Sequence, residues 1–342
     1  MIPVAGREAR AEPNFVKQIV LERPGKFQLG EKPPPVARAG EALVRVRRVG
    51  VCGTDLHAFA GRQPFFNFPR ILGHEIAVEV VQAPANRHGL SVGDRCAVEP
   101  YLACGQCHPC RLGKPNCCER LEVLGVHTDG GMRELMAVPL ACLHKSQKLS
   151  LDQLALVEPL GIGAHAVARS GLRKGEEALI VGAGPIGLAV AQFARAAGAQ
   201  VRVLEVSPSR RAFVSRLGFH ALAEPDGDLA EVIFDATGNA QAMAQSLGRV
   251  AHGGRLVFVG LVQGPVALDD ALFHRREVTL FASRNSAHQF PRVIARIEQG
   301  QIDTAPWVTH RIPLTEVPDR FPQIPGDPAC VKAMVEVNGS AA

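Results

Sequence analysis

A chain of 342 residues, 46% hydrophobic and 21% charged, has the composition of a folded protein with room for two cores, and not that of a disordered or fibrous chain. Its formal net charge of +5 is dispersed, with no Lys/Arg cluster longer than a pair, which argues against a nucleic-acid footprint. No apolar run approaches the ~20 residues that span a bilayer, and residues 1–15 mix Arg7, Glu8, Arg10 and Glu12 with apolar neighbours, so they read as a tail and not as a secretory signal.

From residue 16 to about 149, short β-branched runs such as 42–46 and 76–81 are broken by Gly and Pro, which predicts an irregular, mostly β domain. Within it, Gly50-Val51-Cys52-Gly53-Thr54-Asp55-Leu56-His57 and Gly73-His74-Glu75 supply a thiolate and an imidazole. With a carboxylate from Glu75 or Glu158 they form a zinc-ligand set that leaves one position open for water or substrate, and an open position means catalysis. Taken singly, Cys52 also reads as a small buried apolar group, His74 as a core histidine and Glu158 as a neighbour of a helix start.

Five of the nine cysteines crowd between residues 104 and 118. Without an export signal such crowding favours metal over disulfides. Cys104, Cys107, Cys110 and Cys118 supply four thiolates, enough for a closed structural zinc site, with Cys117 competing for the fourth place. Three cysteines at this spacing also open the ferredoxin iron–sulfur run, but the fourth comes too late and no proline follows it.

From about residue 178 the texture alternates. Strands are expected at 178–181, 201–206, 232–235, 255–259 and 278–281, and helices at 185–197 and 240–250, which is the pattern of an α/β doubly wound parallel sheet. Gly182-Ala183-Gly184-Pro185-Ile186-Gly187 falls between the first strand and its helix. Gly182 suits the tight turn, Gly184 the approach of backbone to a pyrophosphate and Gly187 the packing of helix on strand, while the helix start offers N–H groups and positive dipole. A plain strand-to-helix turn would show the same glycines. Glu205 points further, because a carboxylate about 20 residues on bonds the ribose hydroxyls of a dinucleotide. It repels a 2′-phosphate and so favours NAD over NADP, although Arg210 and Arg211 just beyond are able to hold one. Thr237 and Gly260 end strands on the same edge of the sheet. After residue 283 a helix near 290–299 and a series of Pro-rich turns lead to a last strand at 331–337, expected to rejoin the first domain.

With these segments assembled, the chain resembles the medium-chain, zinc-dependent alcohol dehydrogenase superfamily over nearly all of its length after residue 15. Glu158-Pro159-Leu160 is similar to the polyol (sorbitol) and threonine dehydrogenase branch. Gly61-Arg62-Gln63-Pro64-Phe65-Phe66, Gly125-Val126-His127-Thr128-Asp129-Gly130-Gly131 and Ser283-Arg284-Asn285 are similar to bacterial sugar-acid dehydrogenases of the L-galactonate 5-dehydrogenase type.

The resemblance implies a GroES-like catalytic domain over 16–153 and 286–342, and a Rossmann NAD-binding domain over 154–285. It implies two zinc ions per subunit, one catalytic and one structural, and hydride transfer from a secondary alcohol of a sugar acid or polyol to NAD. The proton would leave through Thr54 to His57, Asp55 would hold His74, and Glu158 would ligate zinc or bond its water, with Glu75 able to take that place. Phe65, Phe66, Arg284 and Asn285 are the implied substrate-pocket residues, Asn285 standing where the polyol branch has an aromatic residue. An arginine there pairs well with a carboxylate. A cytoplasmic homodimer or homotetramer, joined through the edge at 278–283 and without nucleic-acid or membrane partners, completes the expectation. A threonine 3-dehydrogenase-like or general alcohol dehydrogenase is the alternative enzyme. A noncatalytic nucleotide-binding protein is the alternative outside enzymes, and the joint presence of Cys52, Thr54, His57, His74, Glu75 and Glu158 argues against it.

Overall fold

The computed structural model describes residues 15–63 and 66–337, so Phe65 and residues 1–14 of the expected tail over 1–15 lie outside the described residues. One of its sheets has seven strands. Strands Glu41–Gly50 and Glu75–Gln82 pair antiparallel at its centre, with Arg95–Val98 and Leu143–Lys145 beyond the second and Leu135–Pro139 also paired to the first. Buried β-branched side chains at Val44, Val46, Val78 and Val80 fill its core together with Ile19, Leu72, Met136 and Phe321, as a half-buried pleated surface favours. Strand Lys332–Glu336 lies antiparallel to Glu41–Gly50, with Met334 opposite Gly50, and strand Val308–Pro313 runs parallel to it at the edge. The last stretch of the chain therefore closes the first sheet.

The other large sheet has six strands, all parallel, in the spatial order His220–Leu222, Gln200–Leu204, Glu177–Val181, Ala230–Asp235, Val250–Phe258, Thr279–Ala282. In chain order this is 3-2-1-4-5-6, the doubly wound Rossmann arrangement, and its order reverses beside Glu177–Val181. That strand is covered on both faces, hence its unbroken apolar run Ala178 to Val181. Helices Leu151–Ser170, Pro208–Arg216 and Asp270–Arg275 go beyond the elements expected from the sequence, and two more features differ from it. Strand His220–Leu222 was not anticipated, since three residues are too few to show a period. The helix expected over 240–250 stops at Ser246, a single tight turn follows over Leu247–Arg249, and Val250 already begins a strand by pairing with Ala230. Gly253 and Gly254 interrupt that strand's apolar pattern and hide its start in the sequence.

Helix Leu151–Ser170 joins the two sheets. Ser150 caps it, accepting from the Gln153 N–H while Gln153 reaches back, and Gly171 at φ 63° ends it. Its buried Leu154, Val157 and Leu160 share one core with Ala77 and Ala97 of the first sheet and Ile180 and Val190 of the second region. Each fully buried Leu or Val adds roughly 1.5–3 kcal/mol, so this shared core fixes one sheet against the other. Glu158 is also on the buried side of this helix, 2% exposed, and a buried carboxylate needs a partner.

Candidate metal and dinucleotide site

Cys52 caps the short helix Gly53–Phe59, and its N–H donates to the Asp55 carboxylate at 2.9 Å. This sets where the helix starts and so where the thiol stands. Asp55 is fully buried; it also accepts from the Gly73 N–H at 3.4 Å and lies 3.8 Å from His74 Nδ1. The Asp55–His74 approach is thus longer than a hydrogen bond, and His74 Nδ1 is buried without a hydrogen-bond partner. Glu75 opens its strand opposite Gly50, and a Cβ on Gly50 would fall 1.9 Å from Glu75 Oε2, so only glycine leaves the carboxylate its seat. Lys332, from the last strand, donates to Glu75 at 2.5 Å and to the Val51 carbonyl at 2.9 Å.

The donor atoms of Cys52, His74 and Glu75 lie within 4.8 Å of one another. Glu158 is not part of that trio. The Tyr101 hydroxyl donates to its Oε1, and its Oε2 is buried without a hydrogen-bond partner. Burial pushes the Glu158 pKa up to about 7, with His74 opposing and Glu75 adding to the rise. For His74, burial works to lower the pKa, but Cys52 and Asp55 outweigh it and hold it well above the ordinary value. Four acidic groups, Cys52, Asp55, Glu75 and Glu158, thus surround one imidazole and one ammonium. Such a set favours an added cation, and a thiolate, an imidazole and carboxylates are the donors of an open zinc site. Thr54 and His57 stand three residues apart on one face of the Gly53–Phe59 helix, the first half-buried and the second exposed.

The second cluster lies in the loop between Leu102 and Leu121. Cys104, Cys107, Cys110 and Cys118 offer sulfurs within 4.8 Å of one another, with Cys107 Sγ at 3.4 Å from Cys110 Sγ and 3.8 Å from Cys118 Sγ. A tetrahedron with ~2.3 Å metal–sulfur bonds has edges of roughly 3.8 Å, so the donor set fits zinc. All nine cysteines are free thiols, and the loop turns Cys118 inward while Cys117 is exposed. Backbone N–H groups of Gln106 and Cys107 bring the Cys104 pKa down to about 6, as a thiolate ligand requires.

At the parallel sheet, Gly182 ends strand Glu177–Val181 at φ 93°, and Gly184 caps helix Pro185–Ala196, whose next residue is Ile186. A Cβ on Gly187 would strike the Gly182 carbonyl at 1.9 Å, whereas one on Gly184 would meet nothing within 4 Å. The turn is therefore closed inward and open outward, where a pyrophosphate has room. Glu205 accepts from the Ala183 N–H at 2.7 Å and the Ser207 N–H at 2.8 Å. Arg210 donates to the Cys330 carbonyl, and Arg211 to the Glu205 and Val206 carbonyls at 2.9 and 2.7 Å. Thr237 is tied through its N–H and hydroxyl to the buried Asp235, and Gly260 abuts the Gly238 N–H, 2.4 Å from where a Cβ would sit.

Of the substrate-pocket expectations, Phe66 is buried in the first core. Arg284 is exposed and its Nε donates to the Asn116 carbonyl of the cysteine loop at 3.0 Å, while Asn116 Nδ2 donates back to the Arg284 carbonyl at 2.9 Å. Asn285 is half-buried with φ 49°. Sequence reasoning missed Tyr101 and Lys332. The one signal for Lys332 is a charge directly before the apolar run Ala333-Met334-Val335.

Two lobes, an open mixed-donor centre and a phosphate-ready turn define a two-domain dehydrogenase. Comparison with known proteins agrees. Residues 38–148 match the alcohol dehydrogenase GroES-like domain and residues 185–299 the zinc-binding dehydrogenase domain. The chain is 40% identical to L-galactonate-5-dehydrogenase of Escherichia coli K12 over 317 residues, 89% of this chain and 93% of that one. Among solved structures, the alcohol dehydrogenase RspB of E. coli CFT073 complexed with NADH superposes with a TM-score of 0.90 at 28% identity, covering 95% of this chain and 100% of that one. A zinc-binding dehydrogenase of Sinorhizobium meliloti 1021 bound to NADP gives 0.87 at 28% identity, with the same coverage. The chain belongs to the zinc-dependent medium-chain alcohol dehydrogenase family and is an oxidoreductase acting on CH–OH groups.

Proposed function

We propose that this enzyme oxidises a secondary alcohol of a sugar acid or polyol, of the L-galactonate kind, and passes the hydride to NAD. The observation that carries this is the meeting of Cys52, His74 and Glu75 within 4.8 Å, beside the helix that bears Thr54 and His57. Zinc held by Cys52, His74 and either Glu75 or Glu158 supplies Lewis acidity, which lowers the pKa of a substrate hydroxyl toward neutrality. Thr54 receives the proton on its hydroxyl and hands it to the exposed His57, which passes it to solvent. Asp55 keeps His74 turned toward the centre. The Gly182–Gly187 turn and the start at Pro185 bind the pyrophosphate, Glu205 takes the adenosine ribose, and Thr237 and Gly260 border the same crevice. Preference for NAD is supported by Glu205 and by Arg210 and Arg211, whose guanidinium groups are turned to backbone carbonyls. Arg284 keeps part of its guanidinium for a substrate carboxylate beside Asn285. Cys104, Cys107, Cys110 and Cys118 hold a second, structural zinc.

The two sheets support a division into a catalytic part over 16–153 and 286–342 and a nucleotide-binding part over 154–285. Thr279–Ala282, an edge strand of the parallel sheet among the described residues, with Leu280 exposed, supports assembly into a homodimer or homotetramer. Initial rates over a panel of aldonates and polyols with NAD and NADP test the proposal. At least one aldonate is expected to turn over with NAD favoured by about tenfold or more in kcat/KM. Turnover of threonine or simple alcohols alone would replace it.

A further inference from the structure

We infer that Tyr101 is a positioning residue for Glu158, holding one carboxylate oxygen so that the other stays available to the catalytic centre; this rests on the function proposed above for that centre. Tyr101 is the chain's only tyrosine. Its hydroxyl donates to Glu158 Oε1, while Glu158 Oε2 is buried and has no hydrogen-bond partner. A buried carboxylate with one bare oxygen is costly unless that oxygen meets a cation or a donor. The charged groups near it are His74, Glu75 and Lys332, which are those of the catalytic centre. Without the phenol, several rotamers of a glutamate would be open to it; with the phenol, one oxygen is pinned.

The phenol is itself held from its other side. Tyr101 and Leu102 pair antiparallel with Val123 and Glu122, which closes the base of the cysteine loop. The ring packs on the cluster of Cys107, Cys118 and Leu121, and also on the core that includes Leu154 and Leu160 of the bridging helix. The four-thiolate loop therefore reaches the catalytic carboxylate through one side chain, and aligns it in addition to stapling its own turns.

Tyr101→Phe keeps the ring and removes the bond. In cobalt-substituted protein it is expected to alter the visible bands of the Cys52 centre and leave those of the thiolate loop unchanged. Loss of the Cys52-centre metal to a chelator is expected to quicken by about tenfold or more, with kcat falling by a larger factor than KM rises. In a Glu158→Gln background the same substitution is expected to add less than about twofold, because the tyrosine acts through the carboxylate. Wild-type bands and release rate in Tyr101→Phe, or an undiminished effect in the Glu158→Gln background, would overturn the proposal while leaving the catalytic centre standing. Uptake of only one cobalt per subunit by the unmodified protein would overturn the centre, and this proposal with it.

Discussion

The four-thiolate loop and the Cys52 centre are both cysteine-bearing clusters with donors placed to hold a cation, yet the chain builds them in opposite ways. The loop draws its donors from residues 104–118, all of one kind, with Cys118 Sγ accepting from the backbone N–H groups of Cys104 and Arg120. The Cys52 centre draws on Cys52, on His74 and Glu75, on Glu158 in the bridging helix, and on Lys332 in the last strand. Its donors are unlike, and three of them meet partners of their own: the Cys52 N–H donates to Asp55, Glu75 sits over Gly50 and accepts from Lys332, and Glu158 accepts from Tyr101. A closed site of like donors needs only a loop. A site that leaves one side open for substrate needs folded scaffold on every other side.

Removing one thiolate from each centre is the largest test of that contrast. Cys52→Ala is expected to cut kcat/KM about a thousandfold or more, since the Lewis acid contributes several kcal/mol to the transition state, with the thermal midpoint nearly unchanged. Cys107→Ala is expected to release one zinc per subunit and to collapse the midpoint, because a closed metal site contributes its binding energy to folding; metal content and thermal unfolding measure both. Exchanged outcomes would erase the distinction. Lys332→Met leaves the Glu75 carboxylate buried without its cation and should cost roughly 3–5 kcal/mol in a denaturant titration. A loss below about 1 kcal/mol would mean that Glu75 finds its countercharge elsewhere in the centre. The smallest effect is expected from Gly50→Ala, whose added methyl overlaps the seat of Glu75. It should cost roughly 1–3 kcal/mol and weaken metal retention at the Cys52 centre alone; unchanged retention would show that the seat is not specific.

What the sequence disclosed follows the same division. The Gly182–Gly187 turn, the strands on either side of it and the cysteine loop are local patterns, so periodicity and spacing were enough to find them. Cys52, His74 and Glu75 were visible as residue types that together make a zinc-ligand set, although each alone also had a plain structural reading. The partners that aim them were not visible: Lys332 stands 257 positions from Glu75, and Tyr101 57 from Glu158. Nothing local marks a contact made only when two sheets and a bridging helix have packed. Arg284 shows the converse, since part of its guanidinium serves the cysteine loop through Asn116, a contact no spacing rule anticipates.

Strand Lys332–Glu336 of the first sheet lies beyond every strand of the parallel sheet in the chain. A nascent chain that stops short of it can lay down its nucleotide turn and its thiolate loop, yet its Glu75 has no ammonium to meet. Truncated before that strand, the chain keeps a buried carboxylate without its cation, a loss that weakens the fold and the Cys52 centre together.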